Sequence, residues 1–104
     1  MITASFNKKN GKIQNFRISG HSGYAEQGSD IVCAAVSSMT TLAVNLITEE
    51  FGIPVSLQVD EENAVIELSL SNPDERGCSI LAGLEREIST LAADYPKFIR
   101  VVVK

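Results

Sequence analysis

One long apolar pattern in the middle of the chain limits what it can fold into. Over residues 31–51, apolar side chains recur at the three- and four-residue spacing of a helix. Ser29 or Asp30 can cap its start, because either side chain can accept a hydrogen bond from an unpaired backbone N–H. Gly52 suits the position after its end, and Pro54 prevents continuation. The sequence therefore predicts one central helix, apolar over more than a narrow stripe and buried on more than one side.

Alternating apolar residues on both sides of this helix predict β-strands. Two strands precede it, at residues 2–6 and 12–19, and the Asn10-Gly11 pair between them is typical of a tight hairpin. Two more follow at residues 55–59 and 64–70, then a second helix capped by Asn72 and begun by Pro73, and a last strand at residues 98–103. The order ββα–ββα–β predicts a single α+β domain over residues 1–104, with a mainly antiparallel five-stranded sheet packed against two helices.

The composition narrows the classes of partner. The chain of 104 residues is 44% apolar and 21% charged, which is typical of one globular domain. A net charge of −4 argues against direct nucleic-acid binding and is compatible with a basic protein or peptide. We identify no apolar run of membrane-spanning length and no signal peptide, so we expect a cytoplasmic protein without a membrane. In that compartment the two cysteines are expected to be free thiols.

The loop before the first helix and the start of that helix hold the residues with the most chemistry. Cys33 falls in the first helical turn, where unpaired N–H groups and the positive end of the helix dipole stabilise a thiolate. His21, the only histidine, lies twelve residues earlier across a loop that can fold back over Cys33. An imidazolium there would protonate a leaving amine, and the Cys33 N–H is a candidate oxyanion donor. The pair is a candidate nucleophile and base.

Plainer roles fit the same residues. A cysteine at the start of an apolar helix is usually a small core residue, and Cys78 in the second helix is expected to pack. Asp30 is first a cap and second a group that orients His21, and Ser37 shares a helix face with Cys33. A metal site of Cys33, His21 and Asp30 is a weaker alternative, because structural zinc takes about four ligands and no Cys-x-x-Cys spacing is present. We expect neither a metal nor a cofactor.

Two blocks of sequence resemble the ribosomal-processing cysteine protease family, Prp. The blocks are Gly20-His21-Ser22-Gly23-Tyr24 and Gly28-Ser29-Asp30-Ile31-Val32-Cys33-Ala34-Ala35-Val36-Ser37. Chain length and element order agree as well. The resemblance implies a cytoplasmic, homodimeric endopeptidase that removes an N-terminal extension from bacterial large-subunit ribosomal protein twenty-seven, after a Phe-Phe-Ala-like segment. It implies that Cys33 is the nucleophile and His21 the general base and acid, with Asp30, Ser37 and Gly20 in support.

Two other functions stay open beside the protease. The chain is alternatively a non-enzymatic ribosome-associated module that binds protein through the loop, or a thiol redox sensor built on Cys33. Turnover of an extended substrate peptide separates the protease from the module, and reversible oxidation of Cys33 that switches a function would support the sensor.

The loop at residues 20–29 contains three glycines, which lower the cost of large backbone changes. We expect it to be mobile without substrate and to bring His21 to Cys33 when substrate binds.

Overall fold

The elements of the protein follow the predicted order. A computed structural model describes residues 1–25 and 30–104. A π-helical turn extends α1 by five residues. The elements are β1 (Ile2–Lys9), β2 (Lys12–Ser19), α1 (Ile31–Asn45) with its π turn (Leu46–Glu50), β3 (Val55–Asp60), β4 (Val65–Leu70), α2 (Glu75–Asp94) and β5 (Ile99–Val103).

The five strands form one mixed sheet in the order β3-β4-β2-β1-β5. Neighbouring strands are antiparallel except β1 and β5, which run parallel with Ile2 opposite Ile99. The α+β class and the mainly antiparallel sheet are therefore confirmed. Ser19, the last residue of β2, pairs with Thr3 on one side and Val65 on the other. The chain that leaves β2 towards α1 thus starts in the middle of one sheet end.

The first hairpin explains the imperfect alternation of β2. Its turn is tight, with Asn10 and Gly11 at φ of 54° and 80°. The register of β1 and β2 shifts beside Gln14, because residues on either side of it pair with consecutive residues of β1. This extra residue in β2 is a β-bulge, and it lets both Ile13 and Phe16 point into the core at 6% and 0% exposure.

Both helices pack on one face of the sheet, and that face holds the core. The opposite face is polar, and Asn15 there donates to Ser69 Oγ at 2.6 Å. The separation of apolar and polar faces follows the two-residue period of the strands. The fully buried large side chains of the core are Phe6, Phe16, Ile47, Leu68, Leu81, Ile88 and Val32.

Helix α1 begins at the predicted residue and, with its π turn, ends at Glu50, one residue before the predicted end. It is covered on one side only. Val32 and Val36 are buried, whereas Ile31 and Leu42 keep 56% and 62% of their surface exposed. The expectation that the helix is buried on more than one side is therefore wrong for the single chain. The sheet and α2 reach only one of its faces, and an apolar patch faces outwards.

The stretch from Ile31 to Glu50 is long and apolar enough to cross a membrane by length and composition alone, with a mean hydropathy of 1.8. The expectation that no run has this length and hydropathy is therefore wrong. This stretch has no charged residue before Glu49, and small polar residues such as Thr40 lower its mean hydropathy only slightly. Core helices of soluble proteins pass the same test, and here Val36 and Ile47 lie buried in the core.

Helix α2 begins later than the sequence indicated. Asp74, not Asn72, is the cap, and it accepts hydrogen bonds from the N–H groups of Arg76 and Gly77 at 2.9 and 3.2 Å. Pro73 precedes the cap and does not begin the helix. Asp74 has the extended backbone of a cap residue, with φ of −121° and ψ of 125°, and its carboxylate reaches the first free N–H groups of the helix.

Candidate active site

A groove with a volume of about 650 Å³ lies beside the start of α1. All five residues expected to form or support a site line this groove, and they come from two stretches, the loop after β2 and the start of α1 with its cap. Its other walls are apolar side chains of the sheet and acidic residues of the β3–β4 turn. The five are Gly20, His21, Asp30, Cys33 and Ser37, and the walls include Ile2, Ile18, Val59, Ile66, Asp60 and Glu61.

Asp30 ties the start of α1 to the chain that leaves β2. Its Oδ1 atom accepts the N–H groups of Val32 and Cys33, each at 3.0 Å, which confirms its role as the helix cap. Its Oδ2 atom accepts a hydrogen bond from the hydroxyl of Ser22. The backbone N–H of Ser22 in turn donates to the Cys33 sulfur at 3.3 Å. One carboxylate therefore positions the residue after His21 against the thiol.

These contacts change the expected source of hydrogen bonds to the reaction centre. The N–H of Cys33, expected as an oxyanion donor, is already bonded to the Asp30 carboxylate. The N–H of Ala34 bonds to the Asp30 carbonyl in the first helical turn. The N–H groups of Val32, Cys33 and Ala34 thus all bond to Asp30, as expected at a capped helix start. Among the described residues, the donor to the Cys33 sulfur is the N–H of Ser22.

Asp30 is ionised at neutral pH. The hydrogen bond from Ser22 and then the Cys33 N–H lower its pKa from the usual 3.8 to about 2, against the opposing effect of burial. The charged form is the one that can accept three hydrogen bonds at once. Within residues 1–25 and 30–104 no hydrogen bond joins it to His21, so the second expected role of Asp30, orienting the imidazole, is not seen here.

His21 itself is exposed and lies between two fixed neighbours. On one side Gly20 has a φ of +90° and donates its N–H to the Ala64 carbonyl at 3.0 Å. A Cβ atom on Gly20 would collide with the carbonyl oxygen of Met1, so only glycine fits there. On the other side stands Ser22, which is 3% exposed. The backbone that carries the imidazole is therefore held at both ends.

Two residues of this segment were not predicted to take part in the site. Ser22 is one of them, and its position directly after His21 was the available signal. Tyr24 is the other: its ring packs edge-on against Tyr95 and Phe98, with centroids 5.6 and 5.2 Å apart. Nothing local in the sequence joins Tyr24 to residues more than seventy positions away.

The remaining site expectations have mixed outcomes. Ser37 is exposed and lines the groove one turn after Cys33. Both cysteines are free thiols, as expected, and Cys78 is buried in the core at 6% exposure. In the described part of the chain no three His, Cys, Asp or Glu side chains are grouped to hold a metal ion. The alternative cap Ser29 and residues 26–28 of the loop lie outside the described residues. The mobility expected of the whole loop at residues 20–29 stays a prediction.

Comparison with known proteins shows which family this chain resembles in sequence. The family model described as cysteine protease Prp matches residues 1–100. The ribosomal processing cysteine protease Prp of Bacillus subtilis is 28% identical and covers 97% of this chain and 96% of its own. The protein of the same name in Mycoplasma pneumoniae is 33% identical over 78% of each chain.

Solved structures agree with the sequence comparison. The Prp protease of S. aureus, described as an essential ribosomal processing protease with a covalently linked product peptide, superposes with a TM-score of 0.93 over the whole of both chains at 25% identity. A Streptococcus mutans protein gives 0.84 at 32% identity, over 100% of this chain and 96% of its own. The chain belongs to the Prp family of cysteine proteases.

Proposed function

We propose that this protease removes an N-terminal extension from a bacterial ribosomal protein, with Cys33 as nucleophile and His21 as general base and acid. The observation that carries the proposal is that both residues line one groove, in which the sulfur accepts the N–H of Ser22 at 3.3 Å. A thiol beside a backbone donor and an imidazole is the arrangement that acyl transfer needs. The covalently linked product peptide of the S. aureus relative supports it.

The reaction has two halves. In the first, the Cys33 thiolate attacks the scissile carbonyl, a C–S bond forms, and the C–N bond breaks as His21 gives its proton to the departing amine. In the second, His21 takes a proton from water, which attacks the thioester and releases the carboxylate product and the thiolate. The N–H of Ser22 is placed to donate to the oxyanion in both halves, because it already lies beside the atom to which the carbonyl carbon bonds.

The groove suits an extended peptide with apolar and basic residues. Ile2, Ile18 and Ile66 form an apolar wall that favours aromatic side chains. Asp60 and Glu61 line the same groove and favour basic ones. We therefore take the precursor of large-subunit ribosomal protein twenty-seven as the substrate, cut after a Phe-Phe-Ala-like segment in the cytoplasm. The relatives in Bacillus and Mycoplasma are ribosomal processing proteases, which supports this class of substrate.

The active form is a homodimer paired through the outer face of α1. Leu42 and Ile31 stand exposed on that face, and a second copy would remove them from water. Light scattering should give twice the single-chain mass of 11.2 kDa at micromolar concentration. Leu42→Asp should lower the mass to that of one chain, whereas Leu57→Asp, at an exposed leucine of β3, should not. A wild-type mass of one chain would contradict the dimer.

The activity itself is tested with a synthetic peptide that carries the extension and the first mature residues. Mass spectrometry should find one cut after the Phe-Phe-Ala-like segment and none in a peptide of the same composition in scrambled order. Binding of the peptide without a cut would favour the non-enzymatic module.

A further inference from the structure

After β2, over residues 20–25, specific contacts hold every second residue of the chain in place: Gly20, Ser22 and Tyr24. Gly20 is fixed by its positive φ and its backbone hydrogen bond, and Ser22 by its bonds to Asp30 and the thiol. Tyr24 is fixed by its ring, and its N–H also donates to Ser22 Oγ at 3.1 Å. The residues that follow each of these three, His21, Gly23 and Ala25, line the groove.

The ring of Tyr24 packs against two aromatic residues that backbone hydrogen bonds hold in place. It meets Tyr95 and Phe98 edge-to-face, at interplanar angles of 84° and 76°. Phe98 donates its N–H to the Tyr95 carbonyl at 3.0 Å, which closes the turn between α2 and β5. The Phe98 carbonyl accepts the N–H of Ile2 at 2.8 Å, which joins that turn to the start of the sheet. The two rings that receive Tyr24 are therefore held by backbone hydrogen bonds on both sides.

We propose that Tyr95 and Phe98 form an aromatic seat for Tyr24, and that this seat positions His21 against Cys33. The inference rests on the roles proposed above for His21 and Cys33. Gly23, at a φ of +73°, joins Ser22 to Tyr24 along the chain, and glycine adopts many conformations at little cost, so beyond it only the hydrogen bond from the Tyr24 N–H to Ser22 Oγ ties the two residues. Without the ring in its seat, Gly20 would still hold the chain before His21, but after it the chain would depend on the hydrogen bonds of Ser22 alone. The imidazole would then follow any movement of that one residue.

Kinetics of variants test the seat. Tyr24→Ala should lower kcat at least tenfold and leave KM within twofold, because the ring acts on the position of the base and not on substrate binding. Tyr24→Phe should keep kcat within twofold, since the edge-to-face contacts need the ring and not the hydroxyl. Phe51→Ala is the matched control, because Phe51 is exposed to the same degree, 44% against 43% for Tyr24, and should not change kcat. A raised KM with an unchanged kcat would overturn the proposal and make Tyr24 a substrate contact.

A second measurement does not depend on any substrate. The rate at which iodoacetamide alkylates Cys33 is followed across pH in wild type, Tyr24→Ala, His21→Ala and the double variant. If Tyr24 acts through His21, its substitution should change the pH profile in the wild-type background and change nothing further once His21 is gone. An equal change in both backgrounds, or a wild-type profile in folded Tyr24→Ala, would contradict the seat. Should Tyr24→Ala not fold, Phe98→Leu is read in the same way, and failure of peptide cleavage alone would count against the substrate and not against the seat.

Discussion

The backbone N–H of Ser22 lies 3.3 Å from the sulfur of Cys33, while the N–H of Cys33 itself belongs to the carboxylate of Asp30. Helix α1 therefore uses its first donors on its own cap. The donor beside the reacting atom comes from the opposite side of the loop, one residue after the base. Any change that moves the 20–25 segment would move the base and this donor together.

Two substitutions at Ser22 separate its backbone from its side chain. Ser22→Ala keeps the N–H that faces Cys33 and loses the hydroxyl bond to Asp30, so a modest loss of activity is expected. Ser22→Pro removes the N–H as well. Because loss of one oxyanion donor costs about 10²–10³ in kcat, the proline variant should be at least ~10-fold slower than the alanine variant. Steady-state kinetics with circular dichroism as a fold control measure the difference, and equal rates would remove Ser22 as donor.

The two thiols should differ in their rates of alkylation. Cys33 is partly exposed and faces the groove, whereas Cys78 is 6% exposed in the core. A reagent therefore reaches Cys33 in the native state and reaches Cys78 only after local opening. Competitive labelling with iodoacetamide at neutral pH, followed by peptide mapping, should find Cys33 modified first. Faster labelling of Cys78 in the folded protein would show that the groove is closed to small molecules.

The charge of Asp30 should add a pH-dependent part to stability. Its folded pKa of about 2 lies below the usual 3.8, so the stabilisation is complete above pH 4 and is lost as pH falls through about 2. Asp30→Asn keeps a side chain that caps a helix and removes the charge. The gap in Tm between wild type and Asp30→Asn should therefore be largest above pH 4 and shrink towards pH 2. Effects from Asp60, Asp74 and Glu75 occur in both proteins and cancel in this comparison.

Gly20 and Gly23 offer a matched pair of glycine substitutions. Both have a positive φ, but a Cβ atom on Gly20 would meet the backbone of Met1, whereas nothing lies near a Cβ on Gly23. Gly20→Ala should cost about 3 kcal/mol of unfolding free energy, and Gly23→Ala about 1 kcal/mol for its backbone alone. Urea unfolding of both variants measures the difference. Gly23→Pro, a natural way to stiffen the loop, is a poor probe, because proline cannot adopt a φ of +73°.

Short-range signals in the sequence predicted most of the fold. Asn10 and Gly11 form the expected turn because both tolerate positive φ, and Asp30 caps α1 because its side chain reaches the next two N–H groups. The bulge at Gln14 was visible only as broken alternation. An apolar pattern cannot say which side of a helix its own chain will cover, so the exposed face of α1 was missed.

In the candidate site, too, some residues could be predicted from the sequence and others could not. His21 and Cys33 were predicted from their chemistry, and the structure places them in one groove. The partners that hold them depend on contacts across the chain. Ser22 reaches the thiol only because β2 ends beside the start of α1, and Tyr24 finds Phe98 only because β5 runs parallel to β1. Such contacts follow from strand order, which local propensity does not encode.

The most direct measurement of the central claim is turnover of the extended peptide by three proteins side by side. Wild type and Cys78→Ala should cut the peptide at similar rates, because Cys78 lies outside the groove. Cys33→Ala should be folded, with its Asp30 cap intact, and should give no product above the uncatalysed background. Turnover at the wild-type rate in Cys33→Ala would show that the sulfur of Cys33 is not the nucleophile.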